Sequence, residues 1–189
     1  MYKRVRLTDT VEVPPEALDD VTPDLIKRLL QDKLEGRMDE EVGSIVTVTT
    51  VHDIGEGAVV PNRPGVYYEA EFDALTFDPE MQEVVDGEVV EVVSFGAFVG
   101  IGPVDGLLHV SQISDEYLAF DEEGQMLAAR ESNKTLGVGD AVRGRIVTKS
   151  IDERNPRESK IGLTAKQPGL GKHGWLREQR QEEAAAEGE

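Results

Sequence analysis

Few residues in this chain could do chemistry, and most of them fail on type or spacing. There is no cysteine, which excludes thiol nucleophiles, disulfides, iron–sulfur clusters and cysteine-bearing zinc sites. The three histidines, His52, His109 and His173, lie far apart, and none has a second histidine at metal-ligand spacing. A phosphate loop around GLGKHG would need a glycine five residues before Gly171 and Ser or Thr after the lysine, but Lys166 and His173 stand there. Gly55-Glu56-Gly57 is no dinucleotide fingerprint, because its sixth position is Val60, and no Gly-x-Ser-x-Gly elbow occurs. What remains is VSFGAFVGIGPVDGLLHVSQIS, Val93 to Ser114, with flat rings at Phe95, Phe98 and His109. Facing inward, such rings fill a core. Facing outward, they stack on other flat molecules.

Spacing favours the outward face. Phe95 and Phe98 are three apart, so a continuous strand would send them to opposite sides. Gly96-Ala97 reads as a two-residue turn of type II′, which would pair the two rings on one face. Leu108 and Val110 have core parity, leaving His109 outside. Val89, Val92, Val99, Ile101, Ile146 and Leu163 suffice to fill a small barrel without the phenylalanines.

The elements that must hold these residues are short strands. GEVVEVVSF, FVGIG, GLLHVSQI, DAVRGRIVTKSI and SKIGLTA are five candidates with glycine corners, the pattern of a Greek-key barrel such as an OB-fold. SDEYLAFDEEGQMLAARESNKTLGVGD is a polar, partly turn-like excursion between the third and fourth. Ahead of the barrel the order is β-α-β-β. YKRVRL is a strand, and VPPEALDD a turn with a short helical piece. VTPDLIKRLLQDKLEGR is a helix with Thr22 as N-cap, Pro23 at its first position and Gly36 at its end. Its apolar stripe is Leu25, Ile26, Leu29, Leu30 and Leu34. GSIVTVTTVH is a strand, IGEGAVVPNRPG a long loop, and VYYEAEFDALTF a half-buried strand. The expected organisation is an α+β domain over 1–80, an all-β barrel over 81–166, and a charged tail over 167–189 that is a loose helix or disordered. FDPEMQEVVDG, with Pro79, forms the junction.

The 189 residues carry 38 acids against 20 bases, a net charge of −18. The excess is spread over both folded regions, −10 over 1–80 and −7 over 81–165, so it is not an acidic tail. Distributed like charge weakens a compact state unless salt screens it, and at 1 M the screening length falls to about 3 Å. The composition therefore points to a host with a salty cytoplasm or to basic partners. It also makes acidic clusters weak evidence for metal or acid–base sites. No apolar run of eighteen residues exists, and MYKRVRLTDT puts charges where a signal peptide needs its apolar region. The expectation is a cytoplasmic chain that neither crosses a membrane nor contacts one.

The motif series G-x-V-x-x-V…F-G-A-F-V…G-L-L-H-V-S…V-G-D-x-V-x-G-x-I…I-G-L-T resembles the S1 RNA-binding domain of the OB-fold class across residues 87–165. That resemblance implies an RNA-facing role for Phe95, Phe98 and His109, with Asp152 and Lys160 as polar partners on adjoining strands. Residues 137–166 add a locally basic strip, Arg143, Arg145, Lys149, Arg154, Arg157, Lys160 and Lys166, against Asp140, Asp152, Glu153 and Glu158.

MYKRVRLTDTVEVPPE, the helix ending near Gly36, and HDIGEG…YYEAEFDALTF are similar to the archaeal RNA polymerase stalk subunits called E-prime, counterparts of the eukaryotic seventh-subunit stalk proteins. With the acidity, the resemblance suggests a halophilic archaeal version. It implies an RNP-like N-terminal domain docking on core polymerase near the clamp through Asp53, Ile54, Gly55, Glu56, Gly57, Pro61, Pro64 and Gly65. It also implies a heterodimer with the small F-type stalk protein of the polymerase, a barrel holding the emerging transcript, no catalytic residue and no cofactor. Candidate contacts with that F-type partner are the Ser114–Thr135 insert and the seam between domains. No Gly-Phe-Gly-Phe motif supports RNA binding by the N-terminal domain. Two other readings stay open: an RNA-processing or translation factor with S1 as an accessory module, and a scaffold whose S1 face meets protein.

Overall fold

Alternation of charged and apolar residues makes the first element a strand, β1 (Tyr2–Val13), with Val5, Leu7, Val11 and Val13 turned to one side. The computed structural model of the chain describes residues 1–152 and 159–187. It divides into two units, residues 1–78 with 151–152, and residues 79–150 with 159–187.

In the first unit a short 3-10 segment (Pro15–Asp20) leads to helix α1 (Pro23–Leu34). Thr22 caps it, its side-chain oxygen accepting from the Leu25 N–H at 3.3 Å. The apolar stripe turns Ile26, Leu30 and Leu34 into the core, with Leu25 and Leu29 packed at its edge. Burying each of those three contributes about 1.5–3 kcal/mol. Strands β2 (Met38–Asp39), β3 (Gly43–Ile54) and β4 (Val66–Phe77) complete an antiparallel sheet of order β1-β4-β3-β2. The face under α1 carries Val48, Ala70, Phe72 and Ala74, all buried. Three register shifts along β3 kink it against β4.

In the second unit β5 (Val84–Val93), β6 (Gly96–Gly100) and β7 (Asp105–His109) form a meander, followed by one 3-10 turn at Val110–Gln112. The excursion after it is itself a small antiparallel sheet of order β10-β9-β8: β8 (Leu118–Asp121), β9 (Met126–Ala129) and β10 (Thr135–Gly137). Leu127 and Leu136 lie opposite each other and are fully buried. β11 (Ala141–Ser150) pairs with β5 and with β12 (Lys160–Thr164), and β12 pairs in parallel with β7, closing a five-stranded barrel. Val89, Val92, Val99, Ile101, Ile146 and Leu163 fill it as expected, joined by Ala97, Leu108 and Ile161. Val110 belongs to the 3-10 turn and is only half-buried, so the expected core run on β7 stops at Leu108. The tail is ordered in two steps: β13 (Gly171–Lys172) adds to β11, and α2 (His173–Glu187) follows with Leu176 buried. No helix is long and apolar enough to cross a membrane among the described residues.

Candidate nucleic-acid interface

The β5–β6 hairpin differs from the expectation by two residues. Val93 pairs with Gly96 and Val92 with Ala97, so the turn is Ser94-Phe95 and Gly96-Ala97 belong to β6. Neither Ser94 nor Phe95 has a positive φ, so no glycine is needed in the turn. Gly96 is fixed by its neighbour instead: a Cβ there would stand 2.4 Å from the Leu108 carbonyl oxygen and 2.9 Å from the Cα of His109. Phe95 therefore projects from the turn itself, 47% exposed, while Phe98 sits half-buried on β6. The rings still meet edge to face, with centroids 6.4 Å apart at 84°.

Register defines the surface around them. A row of outward residues runs from Glu91 on β5 through Phe98 on β6 and Leu107 on β7 to Gly162 on β12 and Thr148 on β11. Along β6 the outward positions are Gly96, Phe98 and Gly100, one ring between two residues without side chains. His109 lies opposite Gly96 and is exposed. Its Nδ1 accepts the Ser111 N–H at 3.2 Å, with the Ser111 hydroxyl 2.8 Å away. A backbone N–H can only donate, so the proton of the neutral ring is on Nε2, which has no partner among the described residues.

Lys160 has the same outward parity, two residues before Gly162 and paired with Ser150, and is exposed. Phe95, Phe98, His109 and Lys160 thus share one side of the barrel. Asp152 groups with the first unit. Arg143 is elsewhere on β11, opposite Asp86, and its Nε and Nη2 donate to the two Asp86 oxygens at 2.8 and 2.9 Å. That fork, helped by His173 Nε2 at 3.0 Å, holds the Asp86 carboxyl down at about 2, and Asp86 in turn raises the Arg143 guanidinium. The Nη1 of Arg145 donates to the Gln82 carbonyl oxygen at 3.1 Å. Lys166 pairs with Asp115 at 2.9 Å. Arg154, Arg157, Glu153 and Glu158 lie outside the described residues. Leu107, Gly162 and Thr148 carry no signal in the sequence, because only cross-strand register brings them beside Phe98.

The first unit presents a different outer face. Asp73 on β4 is only 4% exposed although its strand parity points it away from the helix. Arg4 and Arg6 from β1 donate to it, Arg4 Nε at 2.9 Å and Arg6 Nε at 3.1 Å, and His52 Nε2 from β3 lies 2.9 Å away. These contacts, that of His52 first, hold the Asp73 carboxyl well below the usual carboxylate range. Arg6 also pairs with Glu71 at 3.3 Å.

Beyond β3 the loop 55–65 is exposed but anchored. Gly55 N–H donates to the Glu69 carbonyl at 2.8 Å, and Ala58 and Tyr67 exchange backbone bonds at 2.8 Å. Gly65 has φ +85°, and a Cβ there would lie 2.6 Å from the Val13 carbonyl oxygen, so the return into β4 requires glycine. Asp53, Glu56, Pro61 and Pro64 are exposed and Ile54 half-buried, with Val59 at 76% exposure near the tip. Among the described residues no group of three or more His, Cys, Asp or Glu could hold a metal ion.

Two family models match the chain: "S1 RNA binding domain" over residues 78–160, and "SHS2 domain found in N terminus of Rpb7p/Rpc25p/MJ0397" over residues 8–64. DNA-directed RNA polymerase subunit Rpo7 of Sulfolobus acidocaldarius is 35% identical over 180 residues, covering 95% of this chain and 97% of that protein. The Rpo7 protein of Saccharolobus solfataricus is 34% identical, covering 93% and 97%. Ribonuclease R of Escherichia coli is 34% identical over 95 residues, 49% of this chain but only 12% of the enzyme.

Proposed function

The chain belongs to the family of DNA-directed RNA polymerase subunit Rpo7, and on that premise we propose that its barrel holds single-stranded RNA by stacking bases on Phe95 and Phe98. As a stalk subunit it binds RNA in transcription without a catalytic centre of its own. The observation that carries the stacking role is the outward ring pair: Phe95 is 47% exposed at the turn and meets Phe98 edge to face on the outer side of β6, where Gly100 adds no side chain. Leu107 and the bare Gly162 continue that floor. His109 offers Nε2–H to a base edge or phosphate, and Lys160 supplies a charge at the margin. Arg143 and Arg145 lie on β11 where it pairs with β5, off this row, and act on the part of the RNA strand beyond it.

The exposed loop from Asp53 to Gly65 is the docking element toward core polymerase near the clamp, and a small F-type stalk protein is the heterodimer partner. The spread acidity suits a salty cytoplasm, where charge contributes little to RNA affinity and stacking must carry most of it. Fluorescence anisotropy of the full chain with labelled oligouridylate tests the stacking role. Each ring is worth at least about 1 kcal/mol, so Phe95→Ala/Phe98→Ala should weaken binding roughly thirtyfold. Unchanged affinity in the double variant would remove the aromatic face from the account. The reading as an RNA-processing enzyme finds less support, since its ribonuclease relative shares only 12% of its own length.

A further inference from the structure

Helix α2 separates its charges by side. Trp175, Glu182 and Glu183 flank Leu176 on the side toward Lys134 and Lys166, while His173, Arg177 and Arg180 flank it on the side toward β11. Arg177 and Arg180 are three apart on the helix, which puts both guanidinium groups on one flank. With Ala141 and Arg143 they line a cleft of about 300 Å³ between α2 and β11. Arg143 and His173 are occupied by Asp86, at 2.8 and 3.0 Å. Arg177 and Arg180 have no hydrogen-bond or ion-pair partner among the described residues. In a chain of net charge −18, Lys134, Lys166 and Lys172 of this unit are each paired with an acid. Two unpaired arginines one helical turn apart, beside an Arg143 already paired with Asp86, run against that pattern.

We infer that this cleft is a phosphate-binding track for the backbone of single-stranded RNA, continuing the barrel's aromatic site along β11. The inference rests on RNA binding by the barrel. Thr148, the last residue of the row that starts at Glu91, is on the same strand as Arg143, five residues away, or about 17 Å. A strand leaving Phe98 across β7 and β12 therefore meets β11 and can follow it to α2. Arginine suits this role because its planar fork donates to two phosphate oxygens at once and its charge does not titrate. Asp86 engages Arg143 through both Nε and Nη2, so Arg143 frames the cleft while Arg177 and Arg180 contribute its free donors and net charge.

Length dependence tests this. Full-length chain is titrated with fluorescein-labelled oligouridylates of 8 and 24 nucleotides over a range of salt. Arg177→Gln/Arg180→Gln should weaken the 24-mer about tenfold and leave the 8-mer within twofold. Losing two phosphate contacts should flatten the 24-mer salt dependence by about 1.4, at roughly 0.7 per phosphate on single strands. Arg177→Lys/Arg180→Lys, which keeps the charge, should lose less, and circular dichroism should show α2 intact in both. Inorganic polyphosphate should compete with the 24-mer for the wild-type chain and lose that ability in the Gln variant. An unchanged 24-mer, or equal losses at both lengths, overturns the track. A Gln variant that binds both RNAs normally but no longer co-purifies with polymerase subunits assigns the cleft to protein and also overturns it. Phe95→Ala/Phe98→Ala weakens both lengths if the aromatic reading is right. Its failure alongside a tenfold arginine effect would remove the stacking and leave the cleft.

Discussion

On β4 the outward Asp73 is enclosed by Arg4, Arg6 and His52, whereas on β6 the outward Phe98 stands between two glycines. Both are positions on the face of a sheet turned away from its core, and the chain treats them oppositely. The first face commits Arg4, Arg6 and His52 to its own carboxylate, and its outward aromatics are engaged within the sheet, Tyr2 edge to face with Phe77 and Tyr67 on Glu12. The second keeps flat apolar surface open, which costs solubility and serves only if something covers it. On the proposed reading, the outer face left unsatisfied is the one that takes RNA, and an RNP-like sheet is not enough by itself.

Residues 72 and 73 give the sharpest way to test this, being neighbours on opposite faces of β4. The largest effect is expected at the buried one: Phe72→Ala, fully enclosed under α1, should lower stability by about 3–5 kcal/mol in urea titration. A loss below about 1 kcal/mol would mean that the core of this unit lies elsewhere. Next comes Gly96→Ala on the barrel. Its Cβ meets backbone on β7 at 2.4 and 2.9 Å, which cannot rotate away, so β6 and β7 must part. Overpacking of this kind costs about 1–3 kcal/mol, and RNA affinity should fall with it because His109 is displaced. Normal RNA binding in that variant would break the link between strand spacing and the aromatic face.

The smallest effects distinguish the two outer faces directly. Asp73 has a folded pKa below its unfolded one, so its contribution is fully present above about pH 4 and is lost as pH falls through the folded value. Asp73→Asn should be less stable than wild type at neutral pH, and the difference should shrink between about pH 4 and pH 2. Phe95→Ala, in contrast, should stay within about 0.5 kcal/mol of wild type at every pH, as a surface change does. Equal, pH-dependent losses in both variants would erase the distinction.

Much of the fold is legible in the sequence because it rests on local rules. Period-two alternation locates the barrel strands and their filling, and the Thr-Pro-Asp start with its apolar stripe locates α1. The misreadings share a cause, which is that long-range register overrides local propensity. Gly96 looks like a turn residue, yet it is demanded by the backbone of β7, and the turn moves to Ser94-Phe95. Strands of three or four residues, as in β8–β10, are too short to show a period. Asp73 reads as a solvated position because the groups that enclose it come from residues 4, 6 and 52. Arg177 and Arg180 read as part of a loose charged tail, since nothing local says that the helix docks beside β11.

The pairing of Gly162 and Leu163 with Leu107 and Leu108 is parallel and spans more than fifty residues of sequence. Hairpins such as β5–β6 form in about 1–10 μs from adjacent chain, but a non-local seam must first overcome the loop-closure entropy of everything between. Barrel closure is therefore a late event, and the β8–β10 sheet can fold inside that loop and shorten its effective span. During synthesis, at about 5–20 residues per second, the hairpin bearing Phe95 and Phe98 emerges seconds before β12 exists to flank it. For that interval the rings are an uncovered apolar edge on an unfinished sheet, with the like charges of Asp86, Glu88 and Glu91 on β5 beside them to repel a second nascent chain.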